Sequence, residues 1–327
     1  MQVCESIGKT PAAVNPADGW MMIFPGQGSP AIGMGSDVCD ISPGTTAVWD
    51  CASDISGVDV RKLCLKGPMT RLTKTVYQQL AVTTVNAAML TALREHCDVL
   101  ETGYAGHSAG EYTALYAAGV MDLETLFRAI TLRATIMQNL AEQRKGAMYV
   151  VKPYSNDALR DQIDDMGLGE VLNVCCDNGH QQQVVGGELQ AVKTLVNHLA
   201  RCGVNTIKLG VNGAWHTPLM AEGVAQMRLA LADLPFSSPV CPVIMNSSGK
   251  AEYSVAQIKE NLALHLINTV RWRESMDRWA QMGHRRYLEI SNKKILSHLL
   301  TEHYGPAEGY QIQHYYHIAG SSVRQAG

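Results

Sequence analysis

Residues 101–112 read ETGYAGHSAGEY. Residues 101–105 have the character of a strand, and Gly106-His107-Ser108-Ala109-Gly110 separates that strand from a following helix. The pattern G-x-S-x-G therefore falls at a strand-to-helix junction, where a serine can be held on a strained, exposed turn. The glycines relieve crowding at such a turn, and the helix N-terminus offers N–H groups and a favourable dipole to a developing oxyanion. Ser108 is accordingly the candidate nucleophile, against the plainer alternative of a tight turn.

Working back toward the N-terminus, residues 78–96 lack Gly and Pro, are rich in Ala, Leu and Val, and read as a buried helix. Earlier still, the apolar run Trp20-Met21-Met22-Ile23-Phe24 ends at Pro25-Gly26-Gln27-Gly28-Ser29-Pro30, a buried strand entering a glycine loop. Strand ends of this kind are where α/β proteins present chemistry. Beyond Gly146 the order changes to strand 147–151, helix 156–166, strands 171–176 and 182–185, helix 189–201 and strand 206–210. That order is βαββαβ, a ferredoxin-like unit. The α/β pattern then resumes, with a strand near 243–245, helices near 255–266 and 274–281, a strand at 287–290 and a closing helix from Lys294. The expected organisation is a large α/β subdomain from 1–143 and 214–327, the latter including a C-terminal tail, with a small subdomain inserted at 144–213.

The 327 residues are long enough for a substantial core, and 46% hydrophobic residues, 17% charged and a net charge of -3 describe an ordinary globular protein. Neither a nucleic-acid nor a membrane partner is suggested by that balance. Nine cysteines are scattered without a C-x-x-C pair, which predicts reduced thiols and no metal site. Residues 1–20 contain no apolar run of signal-peptide length, so the expected setting is cytoplasmic.

A serine nucleophile needs a base. His216 lies in the loop Gly213-Ala214-Trp215-His216-Thr217-Pro218 before a predicted helix and is the best placed of eleven histidines. The alternative is a packing or capping histidine. His107 adjoins the serine, but alternation along an extended strand turns it to the opposite face and predicts a structural role. Asp122 is a plausible N-cap for a helix whose inner stripe is Leu126, Ile130, Arg133 and Met137, which puts a guanidinium in a core-facing position. Such a charge demands an anion. Two readings stay open: a structural salt bridge, or a bidentate pair with a substrate carboxylate.

Together these segments resemble the malonyl-CoA:acyl carrier protein transacylase family across residues 22–303. Phe24-Pro25-Gly26-Gln27-Gly28-Ser29 resembles its opening loop, GHSAGEY at 106–112 its nucleophile elbow, and Leu132-Arg133 with Met137-Gln138 its carboxylate-binding helix. Asn178 followed by Gln183-Val184-Val185, residues 213–220, Val270-Arg271-Trp272 and Leu288-Glu289-Ile290 are further matches. The resemblance implies an α/β-hydrolase-like large subdomain with a ferredoxin-like insert and the site in the cleft between them. It also implies that Ser108 attacks malonyl-CoA, that His216 takes the proton, and that Gln27 and the N–H of Ala109 form the oxyanion hole. Arg133 then holds the free carboxylate while CoA leaves and the phosphopantetheine thiol of an acyl carrier protein enters, without a cofactor.

Three features depart from the family pattern. His265 stands where a glutamine often offers its backbone carbonyl to the catalytic histidine, Glu289-Ile290-Ser291-Asn292-Lys293-Lys294 replaces a glycine-proline-glycine loop, and Asp177-Asn178-Gly179-His180 is atypical. They suggest a specialised member. Trp215, if it faces the acyl pocket, should disfavour an α-methyl branch; packing is the alternative reading. The competing functions are an esterase or thioesterase of similar fold, an acyl hydrolase from within the family, a non-catalytic scaffold that docks carriers, and the malonyl-loading subunit of a malonate decarboxylase. Arg271, Arg273, Lys293 and Lys294 are candidate contacts for an acidic carrier protein.

Overall fold

The computed structural model describes residues 15–28, 30–211, 213–305 and 309–319. Cys4, Ser29 of the glycine loop and most of the segment screened for a signal peptide lie outside those residues. The strands in chain order are β1 (Trp20–Phe24), β2 (Glu101–Gly106), β3 (Gly146–Lys152), β4 (Leu172–Asp177), β5 (Gln183–Glu188), β6 (Asn205–Lys208), β7 (Val243–Ile244), β8 (Ala251–Glu252), β9 (Arg286–Glu289) and β10 (Gln311–His314).

One sheet has the order β10-β9-β1-β2-β7-β8, parallel throughout except for the β7–β8 edge. β1 lies at its centre, every residue buried, because helices cover the sheet and a parallel strand faces apolar neighbours on both sides. Met22, Ile23 and Phe24 are fully buried, each burial contributing about 1.5–3 kcal/mol. Register pairs Phe24 with Gly106, so the glycine loop after β1 and the serine turn after β2 leave the same end of the sheet side by side.

The second sheet, β4-β5-β3-β6, is antiparallel, with helices Asn156–Asp165 and Leu189–Arg201 packed on one face through Leu159, Ile163, Val192, Leu195 and Leu199. This is the βαββαβ arrangement expected for the insert. Among the described residues one isolated β-bridge links β4 to the large part: Asp177 N donates to the carbonyl of Val270 at 2.9 Å, and Val270 N donates to that of Cys175 at 2.8 Å.

Two helices carry the floor of the site. Thr75–His96 runs through the core, and Leu123–Gln143 is started by Asp122, whose carboxylate accepts from Thr125 N at 2.8 Å. Leu126, Ile130, Arg133 and Met137 are all fully buried on the face packed against Thr75–His96.

The C-terminal expectation needs correction. Helix Leu296–Tyr304 does not close the fold, because Gln311–His314 adds a further parallel strand beside β9 and helix Tyr315–Ile318 follows. A short polar segment, Gln-Ile-Gln-His, has too little hydrophobic contrast to announce a strand; it pairs at an open edge, beside stacked Tyr304 and Tyr310, whose ring centroids are 4.1 Å apart. Every described cysteine is a free thiol. Among the described residues no helix is long and apolar enough to cross a membrane.

Candidate active site

Ser108 has φ 53° and His216 has φ 61°, and among the described residues these are the two non-glycine positions in the left-handed region. Such strain persists where surrounding contacts over-determine it, and it gathers at functional sites. At Ser108 the contacts come from Asn246: its Oδ1 accepts from Ser108 N at 2.8 Å and its Nδ2 donates to the Gly106 carbonyl at 2.7 Å. The flanking glycines are sterically required. A Cβ on Gly106 would overlap the backbone of Gly110, and one on Gly110 would overlap the carbonyl of Phe24. The opening loop is tied down separately, by Asn86 Nδ2 donating to the Pro25 carbonyl at 2.9 Å.

Across the cleft, His216 Nε2 is 2.9 Å from Ser108 Oγ, and His216 Nδ1 is 2.6 Å from the carbonyl of His265. A carbonyl can only accept, so Nδ1 carries the proton and Nε2 offers its lone pair to the serine hydroxyl. Asn173 Nδ2 donates to the His216 carbonyl at 2.8 Å, which holds the loop in place. Burial, then the neighbouring His265 and Arg133, hold the His216 imidazole well below its ordinary range, so it is neutral and able to accept a proton. The carbonyl that was expected from His265 is thus present, while its side chain points elsewhere, toward Glu111.

Arg133 is fully buried, with Nη1 donating to Gln79 Oε1 at 2.6 Å and Nη2 to Ser108 Oγ at 3.2 Å. No carboxylate salt-bridges it among the described residues, so of the two sequence readings the structural salt bridge is not the one realised. Gln79 stands between the guanidinium and the cleft, and its Nε2 also donates to Gln27 Oε1 at 3.3 Å. Gln27 Nε2 in turn donates to Thr75 Oγ1 at 3.1 Å. The Gln27 side-chain amide is thus engaged at both its nitrogen and its oxygen, and the residue lines the cleft. The N–H of Ala109 comes within 3.0 Å of where a side chain on Gly26 would start, and Gly26 leaves that approach open.

The cleft between the two sheets measures about 420 Å³, with Ser108, His216, Gln79, Trp215 and Asn178 on its surface and Met148, Val150, Val184, Leu209 and Leu299 as apolar walls. Trp215 therefore does face it, although the ring is 5% exposed and also covers Gly213. His107 corrects the sequence reading. It lines the same cleft as Ser108, with Nε2 2.8 Å from Asn178 Oδ1, because the left-handed turn at Ser108 abolishes the alternation that extended backbone would impose. Asn178 acts on His107 rather than on the serine.

Sequence reasoning missed Gln79, Asn246 and Glu111. A polar pair at 78–79 in a buried helix rich in Ala, Leu and Val was a usable signal for Gln79; nothing along the chain marked Asn246. Of the candidate carrier contacts, Arg271 pairs with Glu274 at 3.1 Å and stays exposed, Arg273 pairs with Asp177 at 3.0 Å, and Lys293 and Lys294 are both exposed, Lys294 on the lining of the cleft. The atypical loop before them is pinned by Glu289, whose carboxylate accepts from Ile295, Leu296 and Ser297 N at 2.9, 3.0 and 2.8 Å, capping helix Leu296–Tyr304.

Fold and sequence together define an acyltransferase: the family described as acyl transferase domain matches residues 21–321. The malonyl CoA-acyl carrier protein transacylase of Bacillus subtilis is 31% identical over 86% of this chain and 70% of its own length. That of Haemophilus influenzae is 30% identical over 89% and 94% respectively. Among solved structures, a malonyl-transacylase described in complex with its type II PKS acyl-carrier protein superposes with TM-score 0.84 at 29% identity, covering 90% of this chain and 94% of that one. The malonyl-CoA:acyl carrier protein transacylase of Xanthomonas oryzae pv. oryzae does so with TM-score 0.85 at 29% identity, covering 94% and 96%. The chain belongs to the malonyl-CoA:acyl carrier protein transacylase family.

Proposed function

We propose that the protein transfers a malonyl group from CoA to the phosphopantetheine thiol of an acyl carrier protein through an acyl-enzyme on Ser108. The observation that carries this reading is the meeting, at one serine hydroxyl, of a neutral imidazole at 2.9 Å and an otherwise unneutralised buried guanidinium at 3.2 Å. The first suits nucleophilic attack and the second suits an acyl group that brings its own negative charge.

In this scheme Ser108 Oγ attacks the thioester carbonyl as its proton passes to His216 Nε2. The Nδ1–H held by the His265 carbonyl stabilises the imidazolium that forms. The oxyanion is received by the N–H groups of Ala109 and Gln27, and on its collapse the C–S bond breaks and CoA leaves with the proton from His216. The carrier thiol then surrenders its proton to His216 and attacks the seryl ester; the ester C–O bond breaks, Ser108 Oγ takes the proton back from His216, and the malonyl group leaves as a thioester of the carrier, a ping-pong exchange without net oxidation or reduction that calls for no cofactor. Gln79 swings aside for the malonyl carboxylate to reach Arg133. Apolar walls around the ester keep water away, which favours transfer over hydrolysis. Trp215 narrows the acyl pocket against an α-methyl branch, and Lys293 and Lys294 meet the acidic carrier. The reading includes a cytoplasmic setting.

Intact-protein mass after brief incubation with malonyl-CoA tests it. A malonyl adduct that Ser108→Ala abolishes, and that a holo carrier protein discharges with gain of the same mass on the carrier, is the expected result. Release of free malonate without carrier acylation would show hydrolysis instead.

A further inference from the structure

Glu111 and His265 are both completely buried behind the Ser108–His216 pair, and the proposed transfer makes no use of either side chain. Glu111 Oε1 accepts from Asn246 N at 2.6 Å, in the residue that holds the serine turn. Its other oxygen, Oε2, stands 2.9 Å from His265 Nδ1, out of line for an ideal hydrogen bond, and neither atom has another partner among the described residues. Two bare lone pairs would repel at that separation in a water-free interior, so a proton lies between them.

We propose that His265 is a positioning residue whose imidazole shares a proton with Glu111, and that this couple keeps the site behind the nucleophile uncharged, leaving Arg133 free for an anionic acyl group. The proposal rests on the acyl-transfer reading and adds a role for a side chain that replaces the family's usual glutamine. Glu111 is faced by His107 at the end of β2, by Arg133 from helix Leu123–Gln143, by the polar Asn246 after β7, and by His265. His265 is faced in addition by His216, with ring centroids 4.6 Å apart.

The couple contains one proton more when neutral than when anionic. Burial pushes the Glu111 carboxyl up to about 8, with the Asn246 N–H, Arg133 and His107 opposing. Below that pH the couple is uncharged. Above it a carboxylate appears close to Arg133 and competes with the acyl carboxylate for the guanidinium.

The rate of acyl-enzyme formation from malonyl-CoA, measured as kcat/KM from pH 6 to 10, tests this in the intact enzyme and two variants, with acetyl-CoA as the uncharged donor. The wild type is expected to lose activity toward malonyl-CoA above pH 8, by about tenfold for each unit beyond the couple's pKa, with a smaller loss toward acetyl-CoA. Glu111→Gln keeps the acceptor for Asn246 N and cannot ionise, so the malonyl-specific fall disappears. His265→Gln keeps the backbone carbonyl under His216 but removes the imidazole that shares the proton, so the fall moves along the pH axis. Three profiles of one shape, differing in height alone, would show that both side chains merely pack and would overturn the proposal. Should Glu111→Gln fail to fold, the His265→Gln profile decides: a displaced fall supports the couple, and an unmoved one overturns it. Absence of any acyl-enzyme in the wild type overturns the transfer reading itself, whereas acylation with an unaltered profile overturns the couple alone.

Discussion

Arg133→Ala should convert an enzyme that prefers a carboxylated acyl group into one that hardly distinguishes it from acetyl. The guanidinium is 0% exposed, so a carboxylate paired with it is removed from water and cannot fall back on solvent when its partner is deleted. Truncating one side of such a buried, hydrogen-bonded charge pair costs about 2–5 kcal/mol, which corresponds to a loss of roughly 30- to several-thousand-fold in kcat/KM for malonyl-CoA. Acetyl-CoA brings no carboxylate, so its reaction should change by less than about threefold, the remaining effect coming from the lost contact of Nη2 with Ser108 Oγ. Stability should respond differently from activity. In the unliganded protein the arginine's hydrogen bonds go to Gln79 and Ser108, and burial lowers its pKa despite opposing contributions from Tyr112 and Glu111. No carboxylate salt bridge is therefore lost from the folded state, and the cavity left behind is offset by removal of a buried charge. Time courses of intact mass with the two donors, together with thermal melts, separate these effects. Equal losses with both donors, or a retained preference for malonyl, would refute the assignment of Arg133 to the acyl carboxylate.

Asn246→Ala should strand Ser108 N and the Gly106 carbonyl in the interior, at about 1–3 kcal/mol for each unsatisfied group, and relax the left-handed serine. A clear fall in melting temperature with an acylation rate lowered about 10²-fold is expected, and a rate that follows stability alone would argue against a positioning role. Gly110→Ala should cost more than about 4 kcal/mol because its methyl overlaps the Phe24 carbonyl, a result readable from the urea midpoint or from loss of folded protein. Because the folded pKa of His216 is depressed, the neutral base persists as pH falls, so the ascending limb of acylation should lie below 6.5; a limb above that value would contradict the buried, neutral imidazole.

Much of the local chemistry was legible in the chain. The glycine spacing around Ser108, the capping Asp122 with its stripe through Arg133, and the βαββαβ order after Gly146 all express constraints between near neighbours: steric room at a turn, an orphan N–H at a helix start, and the period of side chains. Loop position put His216 forward as the base for Ser108, the resemblance agreed, and the carbonyl expected from His265 is where His216 needs it. The alternation rule failed at His107 because it presumes the extended backbone that the next residue abandons. Tertiary structure alone decided the groups that meet across the fold: Gln79 on Arg133, 54 residues apart, Asn246 on Ser108, 138 apart, and Glu111 beside His265. The polar pair at 78–79 marked Gln79 as unusual but not its partner, and a side chain's hydrogen bonds are assigned by which surfaces the packed helices and sheets bring together. The same holds for β10, whose strand conformation comes from an available edge beside β9 and not from any preference written in Gln-Ile-Gln-His.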